Sequence, residues 1–205
     1  MKKKYLLFSI FMILTMLVAL NGLFFYHKYK SKSFACSSDK ISGNASIGGN
    51  FELVDENGSL VTNSEVIDMP VLVYFGYTFC PDICPIDSMR NAEVTESLHE
   101  KGINIKPIFI TIDPERDTPK VLKEFTDVMH PEMLGLTGSL EQIKAVSQAY
   151  KTYYKKQVSD DEYYLVDHST FTYFLTPKNG FVDFFRREDT VEKISETIEC
   201  YLRKT

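Results

Sequence analysis

The stretch "GYTFCPDICP", Gly76 to Pro85, sets two cysteines four residues apart, Cys80 and Cys84, each followed by a proline. Thiolates are nucleophiles, redox partners and soft metal ligands. Three uses are open for such a pair: a redox disulfide, a metal site, or two buried structural thiols. The pair follows "VLVYFG" (71–76), a continuous apolar run of strand length such as a central buried strand shows. It opens a segment of helical character. On a helix, positions i and i+4 share a face, so both sulfurs can point at one spot. A helix N-terminus favours negative charge, which lowers a thiol pKa and populates thiolate. Two adjacent thiolates suit a soft ion such as Cu(I). They can also oxidise, because this spacing on a helix gives a Cα separation of ~6 Å, inside the ~4.4–6.8 Å disulfide range. The usual dithiol reductase motif has only two residues between its cysteines.

Two thiolates leave a soft ion open to a third ligand. Of the four histidines, His27 abuts an apolar N-terminal run, His99 falls in the polar end of a helical segment, and His130 stands at a helix end before Pro131. Surface or capping roles suit His99 and His130. His168 differs: it lies in "YYLVDHSTFTYFL", immediately before a strand. Pattern alone does not place it beside Cys80.

The elements that must position these residues alternate between strands and helices. "FELVDENGSLVT" reads as a hairpin around Asn57-Gly58. "IDSMRNAEVTESLHEKG" reads as a helix ending at Gly102, and "INIKPIFITID" as the next strand. Thr118-Pro119 is an N-cap followed by proline at the first helical position, with Val121, Leu122, Phe125, Val128 and Met129 as the apolar face. Ser139 and Gln142 have capping-box spacing. "FTYFLTPKNGFVDFF" is a second hairpin, around Asn179-Gly180, and a last helix follows with the stripe Val191, Ile194, Ile198, Tyr201 and Leu202. The pattern predicts an α/β domain with a mixed sheet. Cys200 lies off the last stripe with no cysteine near it in sequence and reads as a free thiol.

Residues 5–26 carry no charge. As a helix, those 22 residues reach ~33 Å at ~1.5 Å per residue, against a hydrocarbon core ~30 Å thick. Tyr5 and Tyr26 stand at the ends as interfacial anchors do. The run is longer than a signal-peptide core and no A-x-A follows it. The expected organisation is a tail (1–4), a transmembrane anchor (5–26), a linker (27–46) and one domain (47–205). Lys2, Lys3 and Lys4 are nearly balanced by Lys28, Lys30 and Lys32, and the α-amine tips the count toward an inside N-terminus and an exported domain. No arginine precedes Arg90, which argues against a mitochondrial transit peptide and for a bacterial inner membrane protein with its domain on the periplasmic side. The charged stretch before Cys36 argues against lipid modification there. Removing the six lysines of residues 1–34 leaves 17 Lys and Arg against 28 Asp and Glu, a net charge of −11, which disfavours nucleic-acid binding.

"FGYTFCPDICP", "FITIDPERDTP", "GLTGS" and "VDHSTFTYFL" occur in this order and together resemble the Sco/SenC family of membrane-anchored copper proteins for cytochrome oxidase assembly. The resemblance covers roughly residues 47–187. It implies a thioredoxin-like mixed sheet flanked by helices behind the N-terminal transmembrane helix. It also implies a copper ion held by Cys80, Cys84 and His168. The implied role is a copper chaperone for the dinuclear copper site of cytochrome c oxidase. Its partners would be the copper-bearing oxidase subunit and other copper chaperones or thiol reductases. The alternative is a thiol-disulfide reductase that keeps the oxidase cysteines reduced, with Cys80 and Cys84 as its redox pair. Two departures leave the motif residues intact: Met89 follows Ser88 where an aliphatic residue is usual, and "NSEVIDMP" lacks the family's Gly-Lys. No proline lies between Pro131 and Pro177, where thioredoxin-like reductases carry one facing their cysteines, and this favours metal handling. In "DPERD", Asp113, Arg116 and Asp117 read as an ion-pair and turn network that fixes a loop. Asp167 could orient the His168 ring, become an extra ligand for an oxidised, harder ion, or stand on the surface.

Overall fold

The structure, a computed structural model, describes residues 4–5, 12–23, 47–158 and 164–204. Two units separate, residues 1–37 and 38–205. In the first, residues 12–23 are helical (α1), and Met12, Leu14, Met16 and Val18 are exposed on it. The anchor expected over 5–26 is thus described only in part. Among the described residues no helix is long and apolar enough to cross a membrane. The linker expected over 27–46, with Cys36, lies outside the described residues.

The second unit holds a seven-stranded mixed sheet in the order β2-β1-β5-β4-β3-β8-β9. β1 (Glu52–Asp55) and β2 (Leu60–Thr62) form the first expected hairpin, with Gly58 at φ +83° in its turn. A one-turn helix, α2 (Asn63–Val66), follows and was not anticipated. β3 (Val71–Gly76) is central, and each of its residues is buried. It runs parallel to β4 (Lys106–Thr111), which runs parallel to β5 (Leu134–Thr137), a short strand that the sequence pattern had not marked. On its other side β3 pairs antiparallel with β8 (Thr172–Thr176), and β8 with β9 (Gly180–Phe185), closing the second expected hairpin.

Helices cover the sheet. α3 (Ile83–His99) and α6 (Val191–Leu202) enclose a core of Leu72, Val94, Leu98, Phe174, Ile194 and Ile198. α4 (Pro119–Met129) and α5 (Leu140–Ala149) bring Leu122, Ile143 and Val146 into the larger core with Val71, Val73 and Phe75. The expected caps form. Thr118 Oγ1 accepts from Val121 N–H, and Ser139 and Gln142 satisfy each other reciprocally. Val128, expected on the buried face of α4, is 78 % exposed, because that face is satisfied by Leu122 with Phe125 and Met129 at its flanks. Cys200 is disulfide-bonded, which corrects the expectation of a free thiol. Cys80 and Cys84 are both free.

A separate two-stranded ribbon, β6 (Tyr154–Lys156) with β7 (Val166–His168), stands apart from the main sheet. Tyr154 pairs with His168 across it.

Candidate metal centre

β3 delivers the chain to the site. After Gly76 it leaves the sheet through Tyr77–Phe79, reaches Cys80, and enters α3 at Ile83. Cys80 therefore sits before the helix rather than on it, and Cys84 lies in the first turn. The convergence of the sulfurs holds for a different reason. Cys84 N–H, one of the donors a helix N-terminus leaves unpaired, donates to Cys80 Sγ at 3.3 Å. Asp82, in the N-cap position, makes no side-chain cap bond, so the Cys80 sulfur takes that part.

His168 comes from the far end of the chain. β8 runs antiparallel to β3 with Thr172 opposite Tyr74, so the segment just before β8 lies at the end of β3 that carries the cysteines. His168 Nε2 stands 3.3 Å from Cys84 Sγ. Its Nδ1 is 2.8 Å from the Ser169 carbonyl, which can only accept. Nδ1 donates to that carbonyl, which leaves Nε2 as the ring atom that faces the sulfurs. The rings of Tyr74 and Tyr77 meet the imidazole edge-on, at 6.3 and 5.9 Å between centroids. One ligand atom from each of Cys80, Cys84 and His168 falls within 4.8 Å of the others. Two sulfurs and an imidazole nitrogen are a donor set for a soft or borderline ion.

The two thiols are unequal. A hydrogen bond from the Cys84 thiol draws the Cys80 pKa down to about 3 against the opposing effect of burial, with His168 and backbone N–H groups assisting. Burial drives Cys84 upward, and the charge on Cys80 reinforces it. The apo site thus holds one thiolate, on Cys80, and one proton, on Cys84. Behind Cys84, Tyr74 donates to buried Asp87 at 3.0 Å, and Asp87 faces Arg90 and Arg187 at 3.6 and 3.8 Å.

The other sequence candidates fall in place around this trio. Asp117 is fully buried and accepts from Thr78 N–H, the Thr78 hydroxyl and the Thr111 hydroxyl at 2.6–3.0 Å. It fixes the loop before Cys80 to the end of β4, as the turn-network reading expects. Asp113 accepts from Arg116 Nε at 2.5 Å and from the Tyr164 hydroxyl at 2.7 Å. Asp167 points away from the imidazole and accepts from Gln157, so the Ser169 carbonyl, not Asp167, orients the ring. His130 is the buried C-cap of α4, paired to Glu96 at 2.8 Å, and His99 sits against Ile105 backbone atoms. Both are structural. Tyr74, Tyr77 and Tyr164 were missed by sequence reasoning, since buried aromatics in strands and loops carry no signal that separates them from core.

A mixed, thioredoxin-like sheet that presents a dithiol at the end of its central strand, with an imidazole against the sulfurs, defines a dithiol domain equipped for metal. Comparison with known proteins makes the assignment specific: residues 39–203 match the SCO1/SenC family, and the chain belongs to it. It is similar to the protein SenC of Rhodobacter capsulatus, 51% identical over 82% of this chain and 76% of that one. A SCO2-like protein of Rickettsia felis is 36% identical over 97% of this chain and 99% of that one. Among solved structures, ScoI of Arabidopsis thaliana with copper bound is 38% identical, with a TM-score of 0.75 over 78% of this chain and 99% of that one. Yeast Sco1 with copper bound is 36% identical, with a TM-score of 0.73 over 78% of this chain and 90% of that one.

Proposed function

We propose that this protein is a membrane-anchored copper chaperone that helps to assemble the dinuclear copper site of cytochrome c oxidase. The observation that carries the reading is the donor set itself: Cys80, Cys84 and His168, with Nε2 and both sulfurs already turned toward one another. Copper is its cargo, held by those three residues. Solved relatives with copper bound support it. The thiolate on Cys80 is ready to ligate, and uptake has only the Cys84 proton to displace.

The domain works on the exported side of a bacterial inner membrane, held there by residues 5–26, with the copper-bearing oxidase subunit as recipient. The disulfide at Cys200 supports this placement, because disulfides persist in oxidising compartments. The bacterial relatives support it as well. A second reading, thiol-disulfide reductase toward the oxidase cysteines, is favoured by one observation: a low-pKa thiolate beside a second free thiol. Other copper chaperones or thiol reductases would then exchange with the same pair.

His168 separates the two. An imidazole holds metal but carries no electrons in thiol exchange. The full-length reduced protein in detergent is expected to bind one copper per chain, and Cys80→Ala or Cys84→Ala to abolish tight binding. His168→Ala is expected to weaken copper binding and block copper loading of the oxidase, while the Cys80–Cys84 disulfide still forms and is still reduced. Normal oxidase copper content in a His168→Ala strain would transfer the assignment to the reductase.

A further inference from the structure

His168 rides on the β6–β7 ribbon, which shares no ladder with the main sheet. The imidazole keeps its place only as firmly as the ribbon keeps its own. What holds the ribbon converges on the loop after β4. Tyr164, leading into β7, donates its hydroxyl to Asp113 Oδ1 at 2.7 Å. Asp113 is buried and also accepts from Arg116 Nε. The Arg116 guanidinium lies 3.6 Å from the centroid of the Tyr164 ring, 4.8 Å from that of Phe79 and 5.7 Å from that of Tyr77. Lys156 of β6 reaches Glu115 at 2.8 Å and stands 3.7 Å from the Tyr164 ring. Tyr77 accepts from Val166 N–H at 3.3 Å.

These three rings border different parts of the site. Phe79 is the neighbour of Cys80, Tyr77 touches the imidazole, and Tyr164 belongs to the ribbon. Arg116 Nη2 is buried with no hydrogen-bond partner among the described residues, so the cation is held by Asp113 at Nε and by the ring faces around it. Arginine suits such a stack, being planar and weakly hydrated, and lysine does not replace it.

We propose that Arg116, with Asp113 and Tyr164, is a latch that holds the His168 ribbon against the dithiol loop, and that these positioning residues set how well His168 engages the metal. Releasing the latch lifts the third ligand and leaves a two-thiolate site. The inference rests on the copper reading above, and it adds a handle through which metal retention is set without touching a ligand.

The test is a double-mutant cycle on the full-length protein, with copper affinity read by competition against a Cu(I) chelator. Arg116→Ala should weaken binding about tenfold, the scale of a desolvated cation–π stack. In a His168→Ala background the same substitution should change affinity by less than about twofold, because nothing is left to position. Arg116→Lys should keep the fold and show most of the loss. Tyr164→Phe, which keeps the stack but drops the Asp113 bond, should show part of it. An equal loss in both backgrounds, or no loss in either, overturns the latch. Amide hydrogen exchange of the metal-free protein decides independently: Arg116→Lys should speed exchange in residues 154–156 and 166–168 and leave β3 and β4 unchanged. Unchanged ribbon exchange overturns the latch even if copper does not bind at all. A wild-type chain that binds no copper, with a ribbon loosened by Arg116→Lys, would instead overturn the copper reading and keep the latch.

Discussion

Cys80 and Cys84 share a side chain and differ in protonation because of where each stands relative to a helix start. Cys80 lies just outside and accepts from a helix N–H, while Cys84 lies inside the first turn with its sulfur in the core. The residue pattern made the pair legible: a buried strand, two cysteines and flanking prolines. It did not show that Cys80 precedes the helix, because the boundary depends on which atom caps the first turn. A pH dependence follows. The fold lowers the Cys80 pKa from about 9 to about 3, so it favours thiolate. That contribution to stability is fully present above the ordinary value, shrinks as pH falls through the window between the two, and is lost below the lower one. The raised pKa of Cys84 acts in the opposite sense and only in alkaline solution, where its proton resists removal. The reduced, metal-free protein should therefore show the ultraviolet absorption of one thiolate per chain at neutral pH, fading only as pH approaches about 3. Cys80→Ser should abolish that band at neutral pH. A band that survives in Cys80→Ser would place the thiolate on Cys84.

Strand direction decides where His168 goes, and this is the element-scale fact that residue pattern could not supply. Had β8 run parallel to β3, the segment before it would lie at the opposite edge of the sheet from the cysteines. The register of Tyr74 with Thr172 brings it to the same edge. The family resemblance supplied His168 where the hydrophobic pattern did not. The hairpins were legible from Asn-Gly turns, and α4 and α5 from their caps. α3 shows no clean stripe because it buries Asp87, Ser88, Asn91 and Thr95 beside its apolar residues. β5, β6 and β7 are three or four residues long, too short for a period to register. One close approach between elements is testable. A Cβ on Gly76 would stand 2.8 Å from Tyr74 Cε1, 3.0 Å from Cys84 Sγ and 3.0 Å from Phe109 Cε2. The last residue of β3 is thus glycine so that α3, β4 and the site can close over it. Gly76→Ala should cost ~1–3 kcal/mol, the usual range for overpacking a filled core. Chemical denaturation of the metal-free protein measures this, and copper affinity should fall with it because Cys84 is among the atoms displaced. Unchanged stability and affinity would mean that the junction has slack.

At the scale of the whole molecule, charge and redox state are divided along the chain. All six lysines before residue 34 flank the uncharged run 5–26, and the remaining 171 residues hold every carboxylate side chain. The domain's two redox environments are likewise distinct. Cys80 and Cys84 are free, and Cys200 is locked in a disulfide. A cytosolic reducing pool would open an accessible disulfide, so the bridge accords with the exported placement proposed above. Cys200 was read as unpaired because sequence spacing alone does not reveal disulfide connectivity. The proposed anchor makes the final prediction. With 22 uncharged residues bounded by tyrosines and lysines, the run is long enough to span and too long for a cleaved leader core. The mature chain extracted from membranes should therefore begin at its first residues by N-terminal sequencing. It should resist removal by high salt or alkali, and protease added to spheroplasts should digest the domain while sparing residues 1–4. A mature chain that starts beyond residue 26 would replace the anchor with a cleaved signal, and protection of the domain from protease would reverse the orientation that the α-amine favours.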